Sequence, residues 1–515
     1  MKKILETAEN IIRKIVSCRL LYYIMVMLLF IGTYYMDLKI RLENNAQIGG
    51  THLKYFMIAA TVSGIIVLAL IIFSKKLYQK IEPHIVYLIL ALIIGGMYIF
   101  IIPLCAQSDE PAHLYRAFQV ARGEWISPMN ESGCVTQMPK SVVDMVQINS
   151  ETKKREYKKY YDIKEMMKIS LNENETVEIN TVGNYHGVSY LPQLVGVKIG
   201  MIFKLNPYFI AMLGRMTSLI ITVLLLSWGI YKLPKHKLFA TIVLLSPVVL
   251  SYASSFSADN MTLASIFLMV SYVLYYMHTK EKIKKIDYII LGVLTFIVAI
   301  SKIAYLPVVG ILIFLPKECF EDNKRKWIYS ILFVIFGLVS AIWWMKVASI
   351  SARVGDPNNT NTWIYTNPIG YLTVLFRSTV SNAWDYIENI FAGHFLCHNQ
   401  VKPYSIVPIS YIVIAIMAFF DDENKEKTTM MQKLITFGII ALSYLLISTA
   451  MYVYNTSFRS EIIVGVQGRY FVPLLLMAVF FGNSKKWNIE EQKLTNVALV
   501  ANYVVYLAMM TKFFI

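Results

Sequence analysis

The chain has 515 residues, 56% of them hydrophobic and only 16% charged, with a formal net charge of +16. A soluble domain carries about 25% charged residues, so this composition excludes a large soluble protein. Disorder is excluded by the same hydrophobicity, and five cysteines are too sparse for a secreted disulfide scaffold.

Apolar runs of about 17–25 residues read as membrane-spanning helices. In chain order they fall at 18–36, 54–74, 85–104, 207–231, 237–253, 258–278, 286–300, 303–316, 326–348, 403–420, 431–453, 468–482 and 495–514. The pieces 286–300 and 303–316 are short and read as a tilted pair meeting near Ser301 and Lys302. The first run is followed by Tyr34, Tyr35, Met36 and Asp37 rather than a small-x-small cleavage site, which predicts a retained signal anchor.

One further apolar run, 187–204, carries Pro192, Gln193 and Lys198. Lysine and arginine gather in inner loops, and that rule decides its placement. If 187–204 lies on the outer surface, every short basic loop falls inside, from Lys75/Lys76/Lys80 through Lys232/Lys235/Lys237 and Lys280–Lys285 to Lys485/Lys486/Lys493. The expectation is therefore an all-α polytopic membrane protein of about 13 transmembrane helices, N-terminus inside and C-terminus outside. The net charge then sets orientation, and no nucleic-acid partner is expected.

The expected divisions are a two-helix extension over 1–84, a membrane module over 85–482 and a last helix over 483–515. Two long outer loops, 105–206 and 349–402, interrupt the module; loops of that length usually carry function. The first contains the basic stretch Lys153–Lys159, read as a solvated insert or a contact for an acidic polymer or headgroup. The second predicts a surface helix over 368–391, with Trp384 and Tyr386 suited to the membrane interface.

Directly after the third run stands Asp109-Glu110-Pro111-Ala112-His113-Leu114-Tyr115-Arg116-Ala117. Ser108 or Asp109 can cap a helix there, with Pro111 in its first turn. Asp109, His113 and Arg116 then share one face. Asp259 follows at the outer end of the 237–278 hairpin, Lys302 at the outer end of the 286–316 hairpin, and Arg469 opens the run at 468. Each has a structural alternative: an N-cap, a snorkelling lysine or an interfacial arginine. Together they place four ionisable groups at one face and similar depth, where charge is costly and points to function.

Weaker signals are His394 and His398 around Cys397, a candidate metal pair, and Cys134 with Cys397, a candidate disulfide. No Walker loop, Rossmann fingerprint or Gly-x-Ser-x-Gly elbow occurs.

The Asp109–Ala117 stretch resembles the signature of a bacterial family of predicted membrane proteins of unknown function. More broadly, residues 85–482 resemble GT-C fold glycosyltransferases, which include the protein mannosyltransferases and the aminoarabinose transferase of lipid A. Tyr185-His186-Gly187-Val188-Ser189-Tyr190-Leu191-Pro192 is similar to that superfamily's His-Pro-Pro-Leu-Tyr-Tyr stretch, without its paired prolines. Arg469-Tyr470-Phe471-Val472-Pro473 is similar to its Arg-Tyr-x-x-Pro segment.

The resemblance implies a GT-C-like fold and a transferase at the outer face of a bacterial plasma membrane. The donor would be a polyprenyl-phosphate sugar and the acceptor an envelope glycan or lipid. Asp109 and Glu110 are the expected catalytic pair, with Asp109 as general base. His113, Arg116, Asp259, Lys302, Arg469, His186 and Tyr190 are expected to bind substrate or phosphate. Asp259 is also a candidate ligand for a divalent cation, Mg or Mn. The rival readings are a polysaccharide polymerase or ligase using the same donor, and a flippase or transporter of lipid-linked sugars.

Overall fold

The computed structural model describes residues 50–130, 133–151, 163–348, 356–392, 405–420, 428–482 and 489–514. The expected first crossing at 18–36 lies outside them, as do Lys153–Lys159, His394, Cys397 and His398. So does any pairing of Cys134 with Cys397.

Two apolar helices, α1 (Gly50–Lys80) and α2 (Pro83–Ile101), lead to the short amphipathic α3 (Glu110–Ala121). The chain then leaves the helical pattern. Strands β1 (Met129–Asn130), β2 (Gly133–Pro139) and β3 (Thr176–Asn180) form an antiparallel sheet with β2 in the middle, Thr136 facing Ile179. This corrects the all-α expectation. Thr-Val-Glu-Ile-Asn alternates polar and apolar residues, the period of a half-buried strand. Between β2 and β3 lie α4 (Lys140–Glu151) and α5 (Ile163–Lys168). They cover a small core of Leu114, Phe118, Met138, Val142 and Met166.

The ambiguous run at 187–204 becomes one 3-10 turn, Gly187–Tyr190, and the 12-residue α6 (Leu191–Ile202). At 1.5 Å per residue α6 is about 18 Å long, too short for a hydrocarbon core about 30 Å thick. It lies against α7 (Pro207–Lys232). Lys198 donates to the Ala121 carbonyl at the end of α3.

The run at 237–253 is split into α8 (Lys237–Leu244) and α9 (Pro247–Ala253), because Pro247 has no N–H to continue the ladder. Next come α10 (Asp259–Thr279) and α11 (Lys285–Ser301), followed by a 12-residue 3-10 helix, Ile303–Phe314. At about 2.0 Å per residue that helix reaches about 24 Å, farther than an α-helix of the same length.

The rest comprises α12 (Asn323–Val347), α13 (Pro357–Thr366), α14 (Pro368–Ser381), α15 (Ala383–Phe391), α16 (Ile406–Phe420) and α17 (Met430–Asn455). The expected surface helix at 368–391 is thus two, divided at Asn382. After α17, residues Gly468–Phe480 pass through 3-10, α18 (Val472–Leu476) and 3-10 again. The final element is α19 (Glu491–Phe514).

Seven of the described helices are long and apolar enough to cross a membrane: α1, α2, α7, α10, α12, α17 and α19. Three shorter apolar segments lie among them, Ile303–Phe314, Ile406–Phe420 and Gly468–Phe480. The exposed side chains of α12 include Ile331, Leu332, Ile335, Leu338, Val339 and Ile342, a face that only lipid would stabilise. α10 is buried on almost every face and forms the axis of the main core.

Candidate functional site

The site forms where four separated segments end. Asp109 is the residue before α3, Asp259 begins α10, Lys302 joins α11 to the 3-10 helix, and Arg469 lies in the turn before α18. Asp259 stands between the two cations. Its Oδ1 pairs with Lys302 Nζ, and its Oδ2 accepts from Arg469 Nε at 3.1 Å. Arg469 Nη2 is 3.6 Å from Asp109 Oδ2. Arg469 Nη1 donates to the Tyr252 hydroxyl.

Aromatic rings hold the cations in place. Lys302 Nζ is 3.9 Å from the centre of the Tyr470 ring, and the Arg469 guanidinium is 4.4 Å from that of Tyr252. The Tyr305 hydroxyl donates to the Tyr470 carbonyl at 2.7 Å. These faces carry negative potential that favours a cation.

A cavity of about 300 Å³ opens beside the cluster. Asp109, His113, Tyr185, Lys302 and Tyr470 line it, and Trp344, Met345, Ile447 and Met451 of α12 and α17 form an apolar wall. Asp109 is the more accessible carboxylate, with 33% of its side chain exposed against 24% for Asp259.

The α3 motif divides its labour. Asp109 adopts the left-handed region at φ 61° and does not cap the helix with its side chain, contrary to the capping expectation. Glu110, expected beside Asp109 in the chemistry, is fully buried. Arg215 of α7 grips it through two bonds, Nε–Oε1 at 2.7 Å and Nη2–Oε2 at 2.6 Å. Arg215 also donates to the Ile102 and Pro103 carbonyls at 2.6 and 2.9 Å, where α2 ends. Those carbonyls lie beyond the helical ladder and need donors.

Arg116, expected at the phosphate, is likewise buried. It donates to the carbonyls of Glu124 and Trp125 and to Gln119 Oε1, pinning the first loop. His186, expected at the substrate, accepts from Val188 N–H and packs edge-on against Trp344, and it does not line the cavity.

His113 does face the cavity. Its Nδ1 is 2.6 Å from the Tyr190 hydroxyl. Burial lowers the His113 imidazole to about 4 although Asp109 and Asp259 pull the other way, so the ring is neutral near pH 7. Burial also keeps the Tyr190 hydroxyl protonated and pushes Tyr185 up to about 12.

The donor set does not suit a resident Mg or Mn ion. Both Asp259 oxygens already face cations, and a third positive charge between Lys302 and Arg469 would be repelled. Among the described residues no group of three or more His, Cys, Asp or Glu could hold a metal.

A family model described as predicted membrane protein (DUF2142) matches residues 92–478, three quarters of the chain. The chain belongs to the DUF2142 family. The matched span holds Asp109, Asp259, Lys302 and Arg469, so the whole cluster lies within the DUF2142 module, while α1 and α19 fall outside it. No curated protein matches this DUF2142 chain, and no solved structure does.

Sequence reasoning left out Arg215 and the roles of the tyrosines 252, 305 and 470. An arginine in the middle of an apolar 26-residue run was the available signal.

Proposed function

We propose that this protein is a GT-C-like membrane glycosyltransferase. It moves a sugar from a polyprenyl phosphate to an acceptor hydroxyl at the outer face of a bacterial plasma membrane, in the synthesis of envelope glycan. The observation that carries the reading is the meeting of Asp109, Asp259, Lys302 and Arg469, from four distant segments, beside a cavity that Asp109 and Lys302 line and that has an apolar side wall.

The acceptor oxygen attacks the anomeric carbon of the sugar while Asp109 takes the hydroxyl proton. The bond from that carbon to the phosphate oxygen breaks, and its electrons leave with the phosphate. Lys302 and Arg469 offset the charge gathering on that oxygen. Asp259 keeps the two cations in register until the phosphate arrives, and Tyr252 and Tyr470 fix their directions. Attack opposite the leaving group inverts the anomeric centre. Glu110, Arg116 and His186 hold the scaffold.

The test is purified protein with radiolabelled polyprenyl-phosphate sugars and cell-envelope acceptors. Asp109→Asn should lower transfer by about a hundredfold or more, the range for loss of a positioned base, with thermal unfolding unchanged. Transfer at the wild-type rate in that variant would falsify the assignment of the base. No transfer by the wild type from any polyprenyl-linked donor would remove the function itself.

A further inference from the structure

A second cavity, of about 450 Å³, lies at the far end of the molecule from the acidic site. Three segments connect the two. α10 begins at Asp259 and ends in the second cavity at Leu274 and Met277, with Lys280 directly after it. The 3-10 helix after Lys302 ends there at Phe314. α17 lines the first cavity with Met451 and the second with Gln432. At 1.5 Å per residue α17 alone separates its ends by about 39 Å, a membrane thickness.

Among the described residues, the lining of this second cavity is basic. Lys235, Lys280 and Lys326 surround it, and none of its described lining residues is acidic. The N-terminus of the 26-residue α17 opens into it, capped by Thr429 and Gln432. Such a helix end carries partial positive charge. A second, independent feature points to a ligand. Thr428 lines the cavity, is 9% exposed, and its buried hydroxyl has no hydrogen-bond partner. A buried hydroxyl without a partner costs about 1–3 kcal/mol, and an anion would relieve that.

We propose that this cavity binds a phosphate-bearing anion through the Thr428 hydroxyl, the positive end of α17 and the ammonium groups of Lys280 and Lys326. The site is separate from the transfer chemistry and does not depend on it. Its volume exceeds that of one phosphate group, which leaves room for a phosphodiester headgroup at the membrane surface.

The experiment compares thermal unfolding of the full chain in three settings. These are phosphatidylcholine nanodiscs, nanodiscs of phosphatidylcholine and phosphatidylglycerol in equal amounts, and detergent with inorganic phosphate titrated in. Wild type should melt higher with phosphatidylglycerol, with phosphate, or with both. A response to phosphatidylglycerol alone identifies a lipid headgroup, and a response to phosphate identifies a small soluble anion.

Thr428→Val and the double variant Lys280→Gln/Lys326→Gln should each weaken the responding titration about tenfold, the size expected for one charge-assisted hydrogen bond. Lys280 is exposed and Lys326 half-buried, so the double variant keeps the test decisive if Thr428→Val fails to fold. The control is Lys75→Gln/Lys76→Gln, which removes two lysines from α1. The proposal is overturned if neither anion raises the melting temperature, if the shift survives in both cavity variants, or if the control removes it equally.

Discussion

Asp109 occupies a backbone region, φ 61°, that only Gly, Asn and Asp enter at little cost. Asn is therefore the informative replacement, since it keeps the turn while removing the base, whereas Ala would add strain to any lost chemistry. Its neighbour Glu110 makes a different prediction. Removing one member of a fully buried ion pair costs about 3–5 kcal/mol, so Glu110→Gln should lower the melting temperature sharply. The paired change Glu110→Met/Arg215→Met should recover only part of that loss, because the Ile102 and Pro103 carbonyls still lack their donor. Full recovery in thermal unfolding would mean that the carbonyl contacts contribute nothing. His113 gives a pH signature. Its folded value is about 4 against 6.5 when free, so between those values the unfolded chain binds a proton that the folded chain does not. Stability contributed by the neutral ring is complete above about pH 6.5 and falls as pH drops toward 4. Melting curves over that window should slope for wild type and flatten for His113→Asn.

Elements place these residues through close backbone approaches. A Cβ on Gly196 of α6 would lie 2.2 Å from the Leu213 carbonyl of α7, and one on Gly468 would lie 2.2 Å from the Tyr386 carbonyl of α15. Gly468 directly precedes Arg469, so Gly468→Ala should displace the arginine. Transfer should fall while α6 and the first loop stay intact, as limited proteolysis of that loop would report. Gly196→Ala should instead loosen α6 and expose the loop to protease. The long apolar helices were legible in the sequence because length and hydropathy alone define them. The surface placement of α6 was legible from lysine distribution. The breaks at Ser246–Pro247 and through Gly468–Phe480 were not, since an apolar run reads as continuous whether it is one helix or several. The sheet was missed because all three of its short strands sit inside the long polar loop 105–206, whose charged stretch dominates the pattern. The cluster itself was legible because charge near hydrocarbon is costly wherever it occurs. Its division into Asp109 at the cavity and Glu110 in the core was not, because adjacent positions on one helix turn differ only in the direction they face.

At the scale of the whole molecule the two cavities are joined by shared segments, so their separation is fixed by helices rather than by loops. The acidic site gathers two carboxylates and two cations at one end, and the lysines of the opposite cavity gather at the other. This asymmetry is what the distribution of basic loops predicts for a chain whose lysine-rich turns stay inside. Between the sheet and Lys280 the chain runs through α7, the broken pair α8 and α9, and α10, which make three passages if the two short halves of the pair cross together. On that expectation, residues before and after them lie on opposite sides of the bilayer. With the native cysteines replaced by Ser, Glu173→Cys before β3 should react with a membrane-impermeant maleimide on intact cells, whereas Lys280→Cys should react only after permeabilisation. Both positions are exposed, so access is set by the membrane and not by packing. Labelling of both from the same side would mean that α8 and α9 do not together cross, and Asp259 would then be separated from the outer loop that carries Asp109. The contact of Arg469 with both carboxylates requires Asp109 and Asp259 on one side, so the labelling pattern tests the packing of the site as well as its orientation.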